Sequence, residues 1–180
     1  MAAEAYEFEY AARLRDQLGS VRKAIEKQQM VATSTDDFDV IGTHGDELET
    51  AVQIFFVRRG RVVGRRGFIV DRVEEVDDAE LIDRILEGVY SEEPAVGYPK
   101  QVLVPTESSD PELYAAWLGV LRNSQVSLRV PQRGDKRALL ETVTRNAQES
   151  FTRHRLKRAS DHNSRSRALN ELQGLSLIHI

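Results

Sequence analysis

Residues Phe38–Val70, FDVIGTHGDELETAVQIFFVRRGRVVGRRGFIV, decide the fold. Phe38-Asp39-Val40-Ile41, Thr50–Val57 and Arg61–Val70 are rich in β-branched and aromatic residues and predict three strands. The second and third are joined by Arg58-Arg59-Gly60, where glycine supplies the positive φ of a tight hairpin. Ile54-Phe55-Phe56-Val57 is apolar without alternation, so the second strand is expected inside the sheet with both faces covered. Just upstream, Thr33-Ser34-Thr35-Asp36-Asp37 is a polar break of the kind that links domains.

Downstream the period changes. Asp77-Asp78 offers an N-cap and an acidic first turn to a helix whose Leu81, Ile82, Ile85, Leu86 and Val89 form one apolar stripe, ending near Pro94. Gln101–Val104 reads as a short buried strand closed by Pro105. Asp110-Pro111 starts a second helix with proline at its first position and Leu113, Trp117, Leu118 and Leu121 on its buried side. Val126–Val130 is another short strand, ended by Pro131. From Asp135 onward Leu139, Leu140, Val143, Ala147 and Phe151 keep helical spacing into Arg153-His154-Arg155-Leu156-Lys157-Arg158, where the stripe thins out. The order β-β-β-α-β-α-β-α predicts an α/β fold in which antiparallel strands are followed by βα units. That implies a mixed sheet with helices on its faces, similar to ribonuclease-H-like folds.

The 180 residues, 41% hydrophobic and 30% charged, suit one ordinary domain plus an appendage. With no cysteine there is no disulfide framework, thiolate nucleophile or Cys-based zinc site, and four scattered histidines do not replace them. No apolar run approaches the roughly 20 residues that span a bilayer, and the start MAAEAYEFEY lacks a signal peptide's plan. A cytoplasmic chain without membrane partners is expected. The net charge of −4 is unevenly spread. Arg129–Arg167 holds eleven basic and four acidic residues, a net +7, while the rest, fourteen basic and twenty-five acidic, carries −11. A polyanion is therefore expected at one end only.

Near the N-terminus Ala11, Leu14, Leu18, Val21 and Ile25 recur at helical steps between charged residues, predicting an amphipathic helix. Ala2, Ala3 and Ala5 fit the end of an earlier arm, with Tyr6-Glu7-Phe8-Glu9 as the bend of a helical hairpin. The run Tyr6–Leu18, with Phe8 in the bend followed by Ala11-Ala12-Arg13-Leu14-Arg15-Asp16, resembles the UVR motif. In the same order, Val52–Gly60 with Gly64-Arg65-Arg66, then Val102-Leu103-Val104-Pro105, then Val130–Arg137 resemble the middle of the UvrC family. That family supplies the endonuclease of the bacterial UvrABC nucleotide excision repair system, and the resemblance covers residues 1 to about 174. It implies a UVR hairpin with a truncated first arm over 1–32, a ribonuclease-H-like module over 36–134, and a basic helical segment over 135–174. Neither of the family's nuclease domains, the GIY-YIG domain or the metal-dependent ribonuclease-H-like one, lies within the matching stretch. Residues 175–180 depart from the family and match a translation of CTG-TCT-CTT-ATA-CAC-ATC, a sequencing-library adapter. They are expected to be an adapter-derived tail, with no function for Ile178 or His179.

Two binding surfaces follow. The resemblance implies that the UVR helix meets the C-terminal hairpin of UvrB through Phe8, Ala11, Ala12, Leu14, Arg15 and Leu18. Phe8 would be the anchor, the alanines would permit close helix approach, and Arg15 would make a rim ion pair. The alternative is a stripe packed within the same chain. The basic segment places Arg133, Lys136 and Arg137 at a helix start, and Arg153, His154, Arg155, Lys157 and Arg158 within less than two turns farther along. Clustered cations without interleaved aromatics suit sequence-independent contact with the phosphates of damaged double-stranded DNA. A solvated face, or docking on the acidic surface of a neighbouring domain, fits the same residues.

Catalysis within the module is not expected. Asp39–Gly45 followed by two strands is similar to the start of the family's metal-dependent nuclease domain, which uses a divalent ion such as Mg²⁺. Aligning His44 with that domain's Asp-x-Ser-His pattern puts Ile41 at the carboxylate position, and isoleucine cannot ligate a metal. No catalytic residue, metal ligand or cofactor is assigned to this stretch. The alternative is a small metal-dependent nuclease using Asp39 with Asp71 or Glu74; otherwise all three are solvated carboxylates at strand ends. His44, in Gly42-Thr43-His44-Gly45, reads as a turn residue with no acidic orienter. Ser108, Ser109, Ser124 and Ser127 lack a nearby histidine, and Gly60–Gly67 lacks the Lys-Ser/Thr of a phosphate loop.

Overall fold

A computed structural model describes residues 7, 9–18, 36–72 and 75–178, with side chains described to residue 170. The elements are β1 (Phe38–Gly45), β2 (Glu49–Arg58), β3 (Arg61–Asp71), α1 (Asp78–Tyr90), β4 (Gln101–Leu103), α2 (Pro111–Arg122), β5 (Ser127–Arg129) and α3 (Asp135–Ile178), in the predicted order. They form one five-stranded sheet, β3-β2-β1-β4-β5. β1 pairs antiparallel with β2 and parallel with β4, so the antiparallel meander and the parallel half meet on it.

Apolar residues on both sides of β1 and β2 bury both faces of the sheet. Ile41, Val52, Ile54 and Phe56 pack with Leu81, Ile82, Ile85, Leu86 and Val89 of α1 and Leu118 of α2. On the other face Phe38, Val40, Phe55 and Val57 pack with Leu139, Leu140 and Val143 of α3. Gly42 makes that second contact possible, because a Cβ there would sit 2.6 Å from the backbone nitrogen of Thr144 and the carbonyl carbon of Val143. Asp77 caps α1 by accepting from Glu80 N at 2.8 Å, and Asp110 caps α2 by accepting from Leu113 N at 3.2 Å, with Pro111 following. Asn123 closes α2 at φ 60°.

Several expectations change. β1 runs through Gly42-Thr43-His44-Gly45, so these residues are strand rather than turn, and His44 packs edge-on to Phe151 at 5.5 Å. The β2–β3 turn is two residues, Arg59-Gly60, with φ of 51° and 71°; Arg58 stays in β2. Both turn residues are left-handed, the type I′ requirement that matches strand twist. Leu113 is 60% exposed, because the core-facing side of α2 is centred on Tyr114, Leu118 and Leu121. α3 is 44 residues, about 66 Å at ~1.5 Å per residue. It stays helical well beyond Arg158, where the described side chains are nearly all exposed. Residues 9–18 are helical and exposed. No helix among the described residues is long and apolar enough to cross a membrane.

Candidate nucleic-acid interface

The predicted cations fall in two groups, Arg133 just before α3 with Lys136 and Arg137 at its start, and Arg153–Arg158 farther along, with roughly 24 Å of helix between Arg137 and Arg153. At the near end Lys136 donates to Gln101 Oε1 at 2.8 Å and lies 5.1 Å from the centre of the Phe38 ring. Arg137 reaches Pro131 O at 3.4 Å and Glu141 at 3.4 Å, an exposed pair four residues apart. Lys136 thus fastens the start of α3 to β4, and Arg137 ties it to the segment after β5. Arg133 is exposed and has no ion-pair partner among the described residues.

The far group splits. His154 and Arg158 continue the buried stripe of Val143 and Ala147 at helical spacing, and both face Glu49 at the start of β2. Glu49 is almost wholly buried: Arg158 bonds its Oε1, His154 Nε2 lies 3.3 Å from its Oε2, and Arg155 Nε lies 4.0 Å from the same oxygen. Arg155 also pairs with Asp46 in the β1–β2 turn and stacks over Phe151 at 5.0 Å. Asp46 is fixed in turn by accepting the amides of Leu48 and Glu49, both at 2.9 Å. Arg155 and Arg158 therefore dock on acids of the same chain. Docking on an acidic surface does occur, but within this domain. Arg153 and Lys157, four residues apart on another flank of α3, are exposed and have no ion-pair partner among the described residues. Lys157 borders a cleft of roughly 510 Å³ whose walls also include Ile69, Asp71, His154, Arg158 and Asp161.

Asp39 sits at the other end of the meander, on the Ile41 side of β1, and is fully buried. It is not a solvated carboxylate. Tyr90 Oη donates to its Oδ2 at 2.6 Å and Arg58 donates to its Oδ1 at 2.6 Å. Arg58 continues to the carbonyls of Val96 at 3.2 Å and Gly97 at 2.7 Å, pinning the loop after α1. Burial pushes the Asp39 carboxyl up to about 6, with Arg58 and then Tyr90 pulling the other way. The same burial, with Asp39 adjacent, raises the Tyr90 phenol well above its ordinary value. Asp39 pairs with Phe56 and Asp71 pairs with Glu49, seven β2 residues away, or roughly 23 Å at ~3.3 Å per residue. The two cannot share a metal ion. Glu74 lies outside the described residues, among which no group of three or more His, Asp or Glu side chains is placed to hold a metal. A divalent ion of the family's nuclease chemistry does not fit this set.

Ser108 and Ser109 have an acidic partner that spacing did not reveal. Both hydroxyls donate to Asp83 of α1, and the Ser109 amide donates to it at 3.1 Å. This network holds the loop before α2 and includes no histidine.

The predicted UVR residues Ala11, Ala12, Leu14, Arg15 and Leu18 share one exposed helical segment, while Phe8 lies outside the described residues. Leu14 and Leu18 are 42% and 59% exposed. Sequence reading missed Asp46 and Glu49 as internal partners of the basic helix, although the inward spacing of His154 and Arg158 signals them. It also missed the arginines of the β2–β3 hairpin, five in nine residues over Arg58–Arg66, which the acidic average of the surrounding chain conceals.

The profile of the UvrC ribonuclease H-like domain matches residues 37–154. UvrABC system protein C of Streptomyces coelicolor is 52% identical over 171 residues, covering 95% of this chain and 24% of that protein. Its counterpart in Beutenbergia cavernae is 47% identical over 180 residues, covering 96% and 26%. The chain thus spans about a quarter of the length of these curated relatives. A crystal structure of human ENDOV aligns at a TM-score of 0.34 with 11% identity, over 64% of this chain and 60% of that one.

Proposed function

This chain belongs to the UvrC family, and from that premise we propose that it is a non-incising module that positions damaged duplex DNA in nucleotide excision repair. The observation that carries the reading is the division of cations on α3. Arg155 and Arg158 hold the helix against Asp46 and Glu49, and Arg153 and Lys157 are left facing solvent beside them. Cations on a rigid helix, oriented by its own docking, are suited to phosphates of any sequence. The matched stretch does not cut, because Asp39 is enclosed by Tyr90 and Arg58 and is far from Asp71.

The test is equilibrium binding of a nicked duplex over a range of salt. Each phosphate contact contributes about 0.9 to the slope of log affinity against log salt. Arg133→Gln/Arg153→Gln/Lys157→Gln is expected to reduce that slope by about 2 or more; an unchanged slope removes α3 from the interface. Incubation with nicked or damaged duplex in Mg²⁺ or Mn²⁺ is expected to give no EDTA-sensitive incision, and incision abolished by Asp39→Asn would contradict the module's silence.

The exposed stripe of residues 9–18 supports a second contact, with the C-terminal hairpin of UvrB. Leu14 and Leu18 lie on one side of the helix and both are exposed. Phe8→Ala and Leu14→Asp are each expected to weaken binding of a UvrB C-terminal peptide in calorimetry. Unchanged affinity in both discards the contact.

A further inference from the structure

We infer that the turn and edge strand of the β2–β3 hairpin form a second phosphate-binding surface, which meets the backbone of duplex DNA independently of α3; the inference rests on the DNA-positioning reading above. Arg58–Arg66 holds five arginines and no acid. Arg58 is engaged with Asp39, Val96 and Gly97. Arg59, Arg61 and Arg66 are exposed, and none has an ion-pair partner among the described residues. β3 is the outer strand of the sheet, so these side chains stand along a rim that no other strand among the described residues covers. Arg66 is held over the Phe68 ring at 5.4 Å, which limits the freedom it would lose on binding.

The turn is the telling position. Arg59 adopts φ 51° beside Gly60 at 71°, where asparagine and glycine are the favoured pair. The strain is supported by Asp37, whose Oδ1 accepts the Arg59 amide at 2.9 Å, and by Asp36 O, which accepts the Gly60 amide at 2.9 Å. Asp37 is therefore occupied with the turn backbone. It is the one carboxylate on the wall of a depression of roughly 720 Å³ whose other walls are Arg58, Arg59, Arg61, Val63 and Val96. Charged residues along an outer strand discourage edge-to-edge pairing. That explains Arg61 and Arg66 but not a strained arginine in the turn, where local preference has been given up for charge. From Arg59 to Arg66 the rim extends roughly 20 Å, long enough for several phosphates of one strand at ~3.4 Å of axis each.

The experiment uses the full chain and a fluorescently labelled nicked duplex, titrated by anisotropy from low to moderate salt. Arg59→Asn/Arg61→Gln/Arg66→Gln is expected to lose tenfold or more in affinity at low salt and about 2 in salt slope, with its unfolding midpoint unchanged or raised. A control that removes two cations elsewhere, Arg84→Gln/Lys100→Gln, is expected to keep the wild-type slope. A hairpin variant with the wild-type slope overturns the inference, even if Arg153→Gln/Lys157→Gln weakens binding and so leaves the α3 reading intact. Loss in the hairpin variant with none in the α3 variant supports the inference and removes α3. Failure of the wild type to bind duplex at low salt, or its capture by polyglutamate in preference to duplex, also overturns it.

Discussion

The two ends of the β1–β2–β3 meander each bury a carboxylate beside an arginine, and they differ in how completely the pair is enclosed. At one end Asp39 has both oxygens bonded, Arg58 is mostly buried, and its remaining donors reach backbone carbonyls of the 94–97 loop. At the other, Glu49 is nearly as buried, but Arg155 and Arg158 approach it from a largely exposed helix face. The first arrangement is saturated and ties strand to loop. In the second, Arg155 and Arg158 are matched by Asp46 and Glu49 beside an open cleft, and it is the neighbouring Arg153 and Lys157, exposed and without an ion-pair partner among the described residues, that can meet a ligand. Enclosure thus separates architecture from recognition where charge counts alone treat both ends alike.

Breaking the enclosed end should have the larger effect. Arg58→Ala removes the charge that favours ionised Asp39, so the buried carboxyl must take up a proton or stay unpaired, and it frees the carbonyls of Val96 and Gly97. A loss of about 3–5 kcal/mol in urea unfolding is expected; a change below about 1 kcal/mol would mean that water reaches Asp39. Gly42→Ala comes next, because its Cβ would lie 2.6 Å from the α3 backbone and must push the helix off β1. A destabilisation of about 1–3 kcal/mol is expected, and wild-type stability would show that α3 yields without strain.

The pH dependence sharpens the contrast. The Asp39 carboxyl is raised from 3.8 to about 6, so the folded state holds its proton more tightly than the unfolded chain does. The resulting stabilisation is complete below pH 3.8 and is lost as pH rises through about 6. Asp39→Asn should flatten the unfolding midpoint across that window, and a variant that keeps the wild-type slope would assign the titration elsewhere. At the open end Arg158→Gln should cost no more than about 1 kcal/mol, because the guanidinium is largely in water. Its signature is faster amide exchange in residues 150–160 than in residues 138–147.

Much of this was legible in the sequence. The element order, the doubly covered β2 and the capped starts of α1 and α2 follow from apolar periodicity and from Asp77, Asp110 and Pro111. Gly42–Gly45 misled because glycines suggest a turn, whereas Gly42 is required by the close passage of α3. Leu113 misled because Tyr114 takes the core-facing place in the same turn, its hydroxyl bonded to Glu87 and its phenol thereby raised to about 12. The candidate site was harder to read. Which arginines of Arg153–Arg158 are available depends on Asp46 and Glu49, more than a hundred residues earlier, brought beside them only by the passage of α3 over the sheet.

The central claim, that docked and open cations on one helix do different work, is tested most directly by two double variants measured side by side. Arg155→Gln/Arg158→Gln and Arg153→Gln/Lys157→Gln remove the same charge within six residues. The first should lower the unfolding midpoint and leave the salt slope of duplex binding near that of the wild type. The second should keep the midpoint and reduce the slope by about 2. Equal slopes in the two variants would contradict the account.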